Sequence, residues 1–273
     1  MNEMCAPVCG SCHIQNSLDD RCPVDWEKEA PAWQAGDLDR LFRRLTSEPI
    51  RSQHAVAILS SPDSNTNGPW ILTMENILSE AEVQRLIDIG SELGYKKSFD
   101  MGQKLPDGVH DKHNDDGRTA SVARCDTPKC DDDPLVQVVH RRLSEMVNIS
   151  WIHSEGVQLL RYEEGQSDAI HHDFTDHRQD KQGGPRILTV FIFLNDVKEG
   201  GATHFDQLDI SVLPKRGRAV LWPSVLNDKP WEKDVRMTHQ ALPVEKGGGT
   251  KYAANVWFHM RDVRTPDAAG CPS

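Results

Sequence analysis

Residues 184–205 read GPRILTVFIFLNDVKEGGATHF, and this stretch decides the fold. Arg186 to Leu194 is a short run rich in β-branched and aromatic side chains. Gly183-Gly184-Pro185 precedes it and Glu199-Gly200-Gly201 follows it. Runs of that composition between turn residues are strands. Working outward, Val157 to Tyr162, Asp209 to Val212, Arg218 to Trp222 and Tyr252 to Met260 are expected to be strands on the same grounds. Pro214-Lys215-Arg216-Gly217 is the turn between two of them. Toward the N-terminus the period changes. Leu38, Leu41, Phe42 and Leu45 recur at helical spacing and stop before Pro49. Trp70 to Thr73 reads as a short strand. Ser79 with Glu82 forms a capping box for a helix that buries Val83, Leu86 and Ile87. Asp133-Pro134 opens a further helix, with Leu135, Val138, Val139 and Met146 facing inward. Helices followed by a run of strands predict an α+β fold: a sandwich or jelly-roll core buttressed by N-terminal helices.

The chain has 273 residues, enough for a full hydrophobic core in one substantial domain plus an appendage. Its formal charge of −11 argues against a nucleic-acid backbone as partner. No apolar run is long enough for a transmembrane helix. Seven cysteines stand at 5, 9, 12, 22, 125, 130 and 271, and four of them crowd the first 22 residues. That crowding reads as a disulfide scaffold or a zinc knuckle. With an odd cysteine count and no signal-like leader, the chain is expected to have lost its true N-terminus. Asn148-Ile149-Ser150 is a glycosylation acceptor sequence. Residues 60–68 are a loop by composition, and the domain boundary is expected there. Residues 100–117, poor in apolar side chains, are expected to form a long mobile loop or lid.

The candidate chemistry lies at His171-His172-Asp173 and His239. In a strand or at its edge, residues i and i+2 point the same way, so His171 and Asp173 can face one metal. His239 opens the approach to the last strand. Two imidazoles and one carboxylate suit non-haem Fe(II). Alone the triplet is weak, because a chain with 12 histidines produces such spacings by chance. Surface or hydrogen-bonded core histidines are the plain alternative.

Several ordered segments strengthen the metal reading. GPWILTMENILSEAEVQRLIDIG, GRTA at 117–120, LLRYEEGQ at 159–166, HHDF at 171–174, the stretch 184–205, LPKRGRAVLWPS and HQALPVEKGGGTKYAANVWFH occur in sequence. Together, over roughly residues 67–263, they resemble the prolyl 4-hydroxylase family of Fe(II)- and 2-oxoglutarate-dependent oxygenases. The resemblance implies a double-stranded β-helix with iron at His171, Asp173 and His239. It also implies Fe(II), 2-oxoglutarate, O2 and L-ascorbate as cofactors. Lys251 matches the lysine that pairs with the distal carboxylate of 2-oxoglutarate, a buried dianion that needs a fixed cation. Lys246 competes for that role, and a solvated loop lysine is the plain alternative. Tyr162 matches a tyrosine on the same carboxylate, with a core aromatic as its alternative. Thr189 points into the barrel by alternation and is a further cofactor candidate. Trp257 and His259 match positions near the pocket, and Arg118 and Arg186 match arginines at the substrate mouth. Cys125 and Cys130 match a cysteine pair, and a disulfide clamping the lid is the implied pairing. Cys5, Cys9 and Cys12 resemble the last half of a ShK-toxin-like module.

Departures fall on the substrate side. Ser167-Asp168 stands where the family has an aromatic pair, Ala120 replaces a serine, and Arg124 replaces a tryptophan. Asp168 is therefore expected to favour a polar or cationic target. The domain map implied is a partial cysteine module at 1–13, a linker with a short helix at 14–66, the oxygenase domain at 67–265 and a tail at 266–273. The expected activity is hydroxylation of a proline-containing peptide or protein in the endoplasmic reticulum or secretory route. Two alternatives are an oxygenase acting on another peptide side chain and a non-catalytic peptide-binding module.

Overall fold

The computed structural model describes residues 30–64, 68–98, 100–104, 110–113, 117–174 and 182–268. The cysteine segment 1–13, the first part of the expected linker and the end of the tail lie outside them. Two helices come first, α1 (Asp37–Leu45) and α2 (Ile50–Gln53). Then follow β1 (Ala57–Ser60), β2 (Ile71–Met74) and α3 (Glu80–Leu93). Ser79 caps α3 through the expected reciprocal bonds with Glu82. After β3 (Lys96–Lys97), β4 (Asp100–Lys104) and β5 (His110–His113) pair with each other. Within the expected loop at 100–117, these two described segments are thus paired strands, polar in sequence rather than apolar in alternation.

β6 (Ser121–Arg124), α4 (Pro128–Asp131) and α5 (Pro134–Val147) complete the first half. The rest is β7 (Gln158–Tyr162), β8 (Asp168–His171), β9 (Arg186–Phe193), β10 (Thr203–Phe205), β11 (Ile210–Val212), β12 (Ala219–Pro223), β13 (His239–Ala241) and β14 (Lys251–His259), closed by α6 (Arg264–Ala268).

The strands form an eight-stranded sheet, β1-β2-β12-β9-β14-β7-β6-β3, and a four-stranded sheet, β11-β10-β13-β8. All their pairings are antiparallel. This is the double-stranded β-helix expected, and strand alternation builds it. Along β9, Leu188, Val190 and Ile192 join one buried cluster with the helices, while Phe191 and Phe193 join a second between the two sheets. A strand buried on both faces reads as a continuous apolar run.

Three features of the packing stand out. Leu38, Leu41, Phe42 and Leu45 of α1 share their cluster with β2, β9 and β14, and β1 pairs with β2 across the expected boundary near 66. On α5, Val138 is 45% exposed, and Val136, Val139, Leu143 and Val147 make the inner face instead. Val138 belongs to the polar flank of the helix, one position off the stripe that α3 covers. Third, Cys125 and Cys130 are joined as a disulfide, Cα atoms 5.1 Å apart, but both lie in the helix-side cluster. They tie the end of β6 to α4.

Candidate metal centre

β13 pairs with β8 so that His239 stands directly opposite His171. Asp173 follows in the bend just past β8, and its side chain is 2% exposed. Ligand atoms of His171, Asp173 and His239 lie within 4.8 Å of one another, and no other such group occurs among the described residues. His239 Nε2 is 3.6 Å from Asp173 Oδ2, and the two imidazole rings are 4.4 Å apart.

Local hydrogen bonds prepare these groups. His171 Nδ1 donates to the Ala169 carbonyl at 2.8 Å and His239 Nδ1 to the Met237 carbonyl at 3.0 Å. With Nδ1 protonated, each ring keeps its Nε2 lone pair for a cation. Burial alone would raise the Asp173 carboxyl, but His239, His171, Arg186 and the Thr189 hydroxyl hold it down to about 2. Burial, then the charge of His171, pushes His239 down to about 4. At neutral pH His239 is therefore a neutral imidazole and Asp173 a carboxylate, the states a divalent metal needs. The donor set fits Fe(II).

His172 faces away from its neighbours. Its Nε2 donates to the Asp234 carbonyl and its Nδ1 accepts from Phe174 N–H, which fixes the bend carrying Asp173. Phe205 and Trp222 wall His239, with ring centroids at 5.7 and 4.9 Å.

The interior continues to Lys251, which is fully buried at 0% exposure, whereas Lys246 is exposed. Lys251 stands opposite Tyr162 in the β14–β7 register. Its Nζ is 4.7 Å from the Tyr162 ring centroid and donates to the Gly201 carbonyl at 2.7 Å. Gly201 has φ 70°, and a Cβ there would meet Lys251 Cδ at 3.3 Å. The Gly-Gly turn thus makes room for this side chain. Burial pushes the ammonium down to about 7, with Asp168 opposing the shift. Burial likewise raises the Tyr162 phenol. A buried cation facing aromatic rings is a ready receptor for an anion.

Other expected site residues land differently. Thr189 is inside the barrel, but its hydroxyl donates to Asp173 Oδ2 at 2.6 Å, so it orients that carboxylate. Asp168 is 6% exposed, and Arg118 Nε lies 3.1 Å from its Oδ2. Its charge is met within the protein by Arg118. Thr119 N–H donates to the Ser167 carbonyl and Ala169 N–H to Gly117, so the 117–119 segment zips onto β8. Ala120 is fully buried in the interior cluster.

Arg186 is 8% exposed, lies 3.6 Å over the Trp257 ring, and binds both oxygens of Glu155 at 2.6 and 3.0 Å. His259 is fully buried, with Nδ1 at 2.9 Å from the Gly184 carbonyl and Nε2 at 2.7 Å from Glu155. Both ring nitrogens face acceptors, an arrangement that an imidazolium satisfies. His259 therefore braces Arg186 through Glu155. Glu155 is the residue that the sequence reading missed. It lies in the connection before β7 with no periodic signal, and only folding brings it to Arg186 and His259. Against the burial that would raise it, Arg186 and the hydrogen bond from His259 hold its carboxyl well below the usual range. Glu155→Gln is expected to cost about 3–5 kcal/mol, the usual result of removing one partner from a buried ion cluster. A urea unfolding midpoint unchanged from wild type would refute this.

Comparisons with known proteins agree with this geometry. Residues 157–259 match the model of the 2OG-Fe(II) oxygenase superfamily. Prolyl 4-hydroxylase subunit alpha-2 of Gallus gallus is 34% identical over 227 residues, which make up 81% of this chain and 40% of that protein. Probable prolyl 4-hydroxylase 8 of Arabidopsis thaliana is 35% identical over 150 residues, 48% of this chain and 50% of that protein. The chain thus spans half or less of the length of these curated relatives. In fold it is similar to a viral collagen prolyl hydroxylase from Paramecium Bursaria Chlorella virus-1, solved as a 2OG complex. That likeness has TM-score 0.54 at 22% identity, covering 72% of this chain and 99% of the viral one.

Proposed function

Because the chain belongs to the prolyl 4-hydroxylase-like 2OG-Fe(II) oxygenases, we propose that it hydroxylates a peptidyl proline and converts 2-oxoglutarate to succinate and carbon dioxide. One observation carries the reading: two Nε2 lone pairs and one ionised carboxylate converge inside the barrel that also buries Lys251. Fe(II) held by His171, Asp173 and His239, with dioxygen and with L-ascorbate to keep it reduced, supplies the oxidising chemistry. The chain's own residues do the rest. Lys251 holds the far carboxylate of 2-oxoglutarate, with Tyr162 beside it. Thr189 keeps Asp173 turned to the metal. Phe191, Phe205 and Trp222 exclude water from the interior. The names of the relatives support proline as the target. The Cys125–Cys130 bond supports an oxidising compartment, the endoplasmic reticulum or the secretory route. No helix among the described residues is long and apolar enough to cross a membrane.

The test is anaerobic loading with Fe(II), followed by 2-oxoglutarate, oxygen and ascorbate, with succinate as the readout. A proline-rich peptide should raise succinate, and His171→Ala should remove it. Succinate without peptide stimulation would discard proline as target. Bound iron without any succinate would leave a peptide-binding module, as the altered Ala120, Arg124 and Asp168 positions would allow.

Asp168 offers a finer test, because its charge favours the protonated form of Lys251. Asp168→Asn is expected to raise KM for 2-oxoglutarate by up to about tenfold at pH 8 and little at pH 6, where Lys251 is protonated regardless. Equal effects at both pH values would show that Asp168 acts only through Arg118.

A further inference from the structure

The end of α5 carries an acceptor that the reaction does not use. Asn148-Ile149-Ser150 has the N-x-S pattern of N-glycosylation, a pattern too common to mean much alone. Its placement adds the meaning. Asn148 is the C-cap of α5, in the left-handed region at φ 53°, and its backbone N–H is bonded back to Glu145 and Ser144. Ile149 is 4% exposed and pins the middle of the triplet into the core, while Asn148 and Ser150 are exposed on either side.

Beside them Trp151 is 48% exposed. The Arg264 guanidinium lies 4.9 Å from its ring centroid, in a cleft shared with His140. Trp151 also borders a separate open groove of about 300 Å3 that contains Asn148, Ser144 and Glu145. Ser144 is 8% exposed, and its hydroxyl has no hydrogen-bond partner among the described residues. An exposed indole face bordering an open groove suits a guest with an apolar C–H face and polar edges. A pyranose ring has both.

We propose that Asn148 is an N-glycosylation site, and that its first N-acetylglucosamine lies in this groove against Trp151. In the transfer the bond from Asn148 Nδ2 to the sugar C1 forms, and the C1–O bond to a lipid-linked diphosphate breaks. Nδ2 gives up one proton and the lipid diphosphate leaves with the electron pair, without redox change. The proposal rests on the secretory reading above.

The experiment separates the two. The chain is produced in insect cells both behind a secretory leader and from its native gene, and peptides around residue 148 are mapped before and after peptide-N-glycosidase. Glycan and enzymatic deamidation at Asn148 in both forms, absent in Ser150→Ala, are expected. Ser150→Ala keeps the Asn148 cap, so folding is not at issue. An unmodified Asn148 in the leader-delivered chain would overturn the site. Modification only behind the leader would overturn the secretory reading and the proposal for the native protein. For the groove, native deglycosylation should increase acrylamide quenching and red-shift the tryptophan emission, and Trp151→Ala should abolish that change. No change on deglycosylation of wild type would overturn the placement against Trp151.

Discussion

Replacing Lys251 with methionine is expected to weaken 2-oxoglutarate binding by about 10²–10³-fold and at the same time to stabilise the empty protein at neutral pH. The first effect follows from leaving a buried carboxylate without its cation, a loss of roughly 2–5 kcal/mol. The second follows from the cost of the charge itself. Lys251 titrates near 7 in the folded chain against an ordinary 10.5, so the unfolded chain binds more protons between those values. Stability then rises with pH across that window, and the penalty of the ammonium is fully present below about pH 7. A shift of that size corresponds to roughly 5 kcal/mol, of which loss of the Gly201 carbonyl's donor takes back about 1–3 kcal/mol. The stability gain of the methionine variant should be largest at pH 6–7 and fade toward pH 10. A Tm difference independent of pH would refute the assignment. The same reasoning makes cosubstrate binding take up a proton above pH 7. Calorimetry in buffers of differing ionisation heat should show it in the wild type and not in the variant.

Asp173→Asn is expected to remove tight Fe(II) binding, because it takes the only carboxylate from the trio. Thr189→Val tests the support of that carboxylate. It is nearly isosteric and deletes the 2.6 Å hydrogen bond to Asp173 Oδ2. Losses of 10- to 100-fold in metal affinity are typical of such supporting groups. Anaerobic Fe(II) or Co(II) titration should therefore place Thr189→Val between wild type and Asp173→Asn. Equal affinity of Thr189→Val and wild type would show that the hydroxyl does not orient the ligand.

Much of this arrangement is legible in the chain because it is carried by local rules. The apolar run after Gly184-Pro185, the Ser79–Glu82 capping box and the period of α1 depend on near neighbours, and each forms where expected. The H-x-D spacing brings His171 and Asp173 to one side, and alternation along β9 turns Thr189 inward. The errors share a cause as well. The 100–117 segment lacks apolar alternation yet pairs with itself, and Val138 reads as inward until the packing of α3 on α5 selects Val136 instead.

By itself, then, the sequence determined the helices α1, α3 and α5, the strands β2, β7, β9, β11, β12 and β14, and which residue types a metal would find at 171, 173 and 239. Only the tertiary structure decided that Lys251 rather than Lys246 is buried, that Asp168 is met by Arg118, and that Glu155 joins Arg186 and His259. Charge pairing and desolvation depend on distance in space. That distance is set by sheet register and turn geometry between residues up to about a hundred positions apart, and no local pattern encodes it.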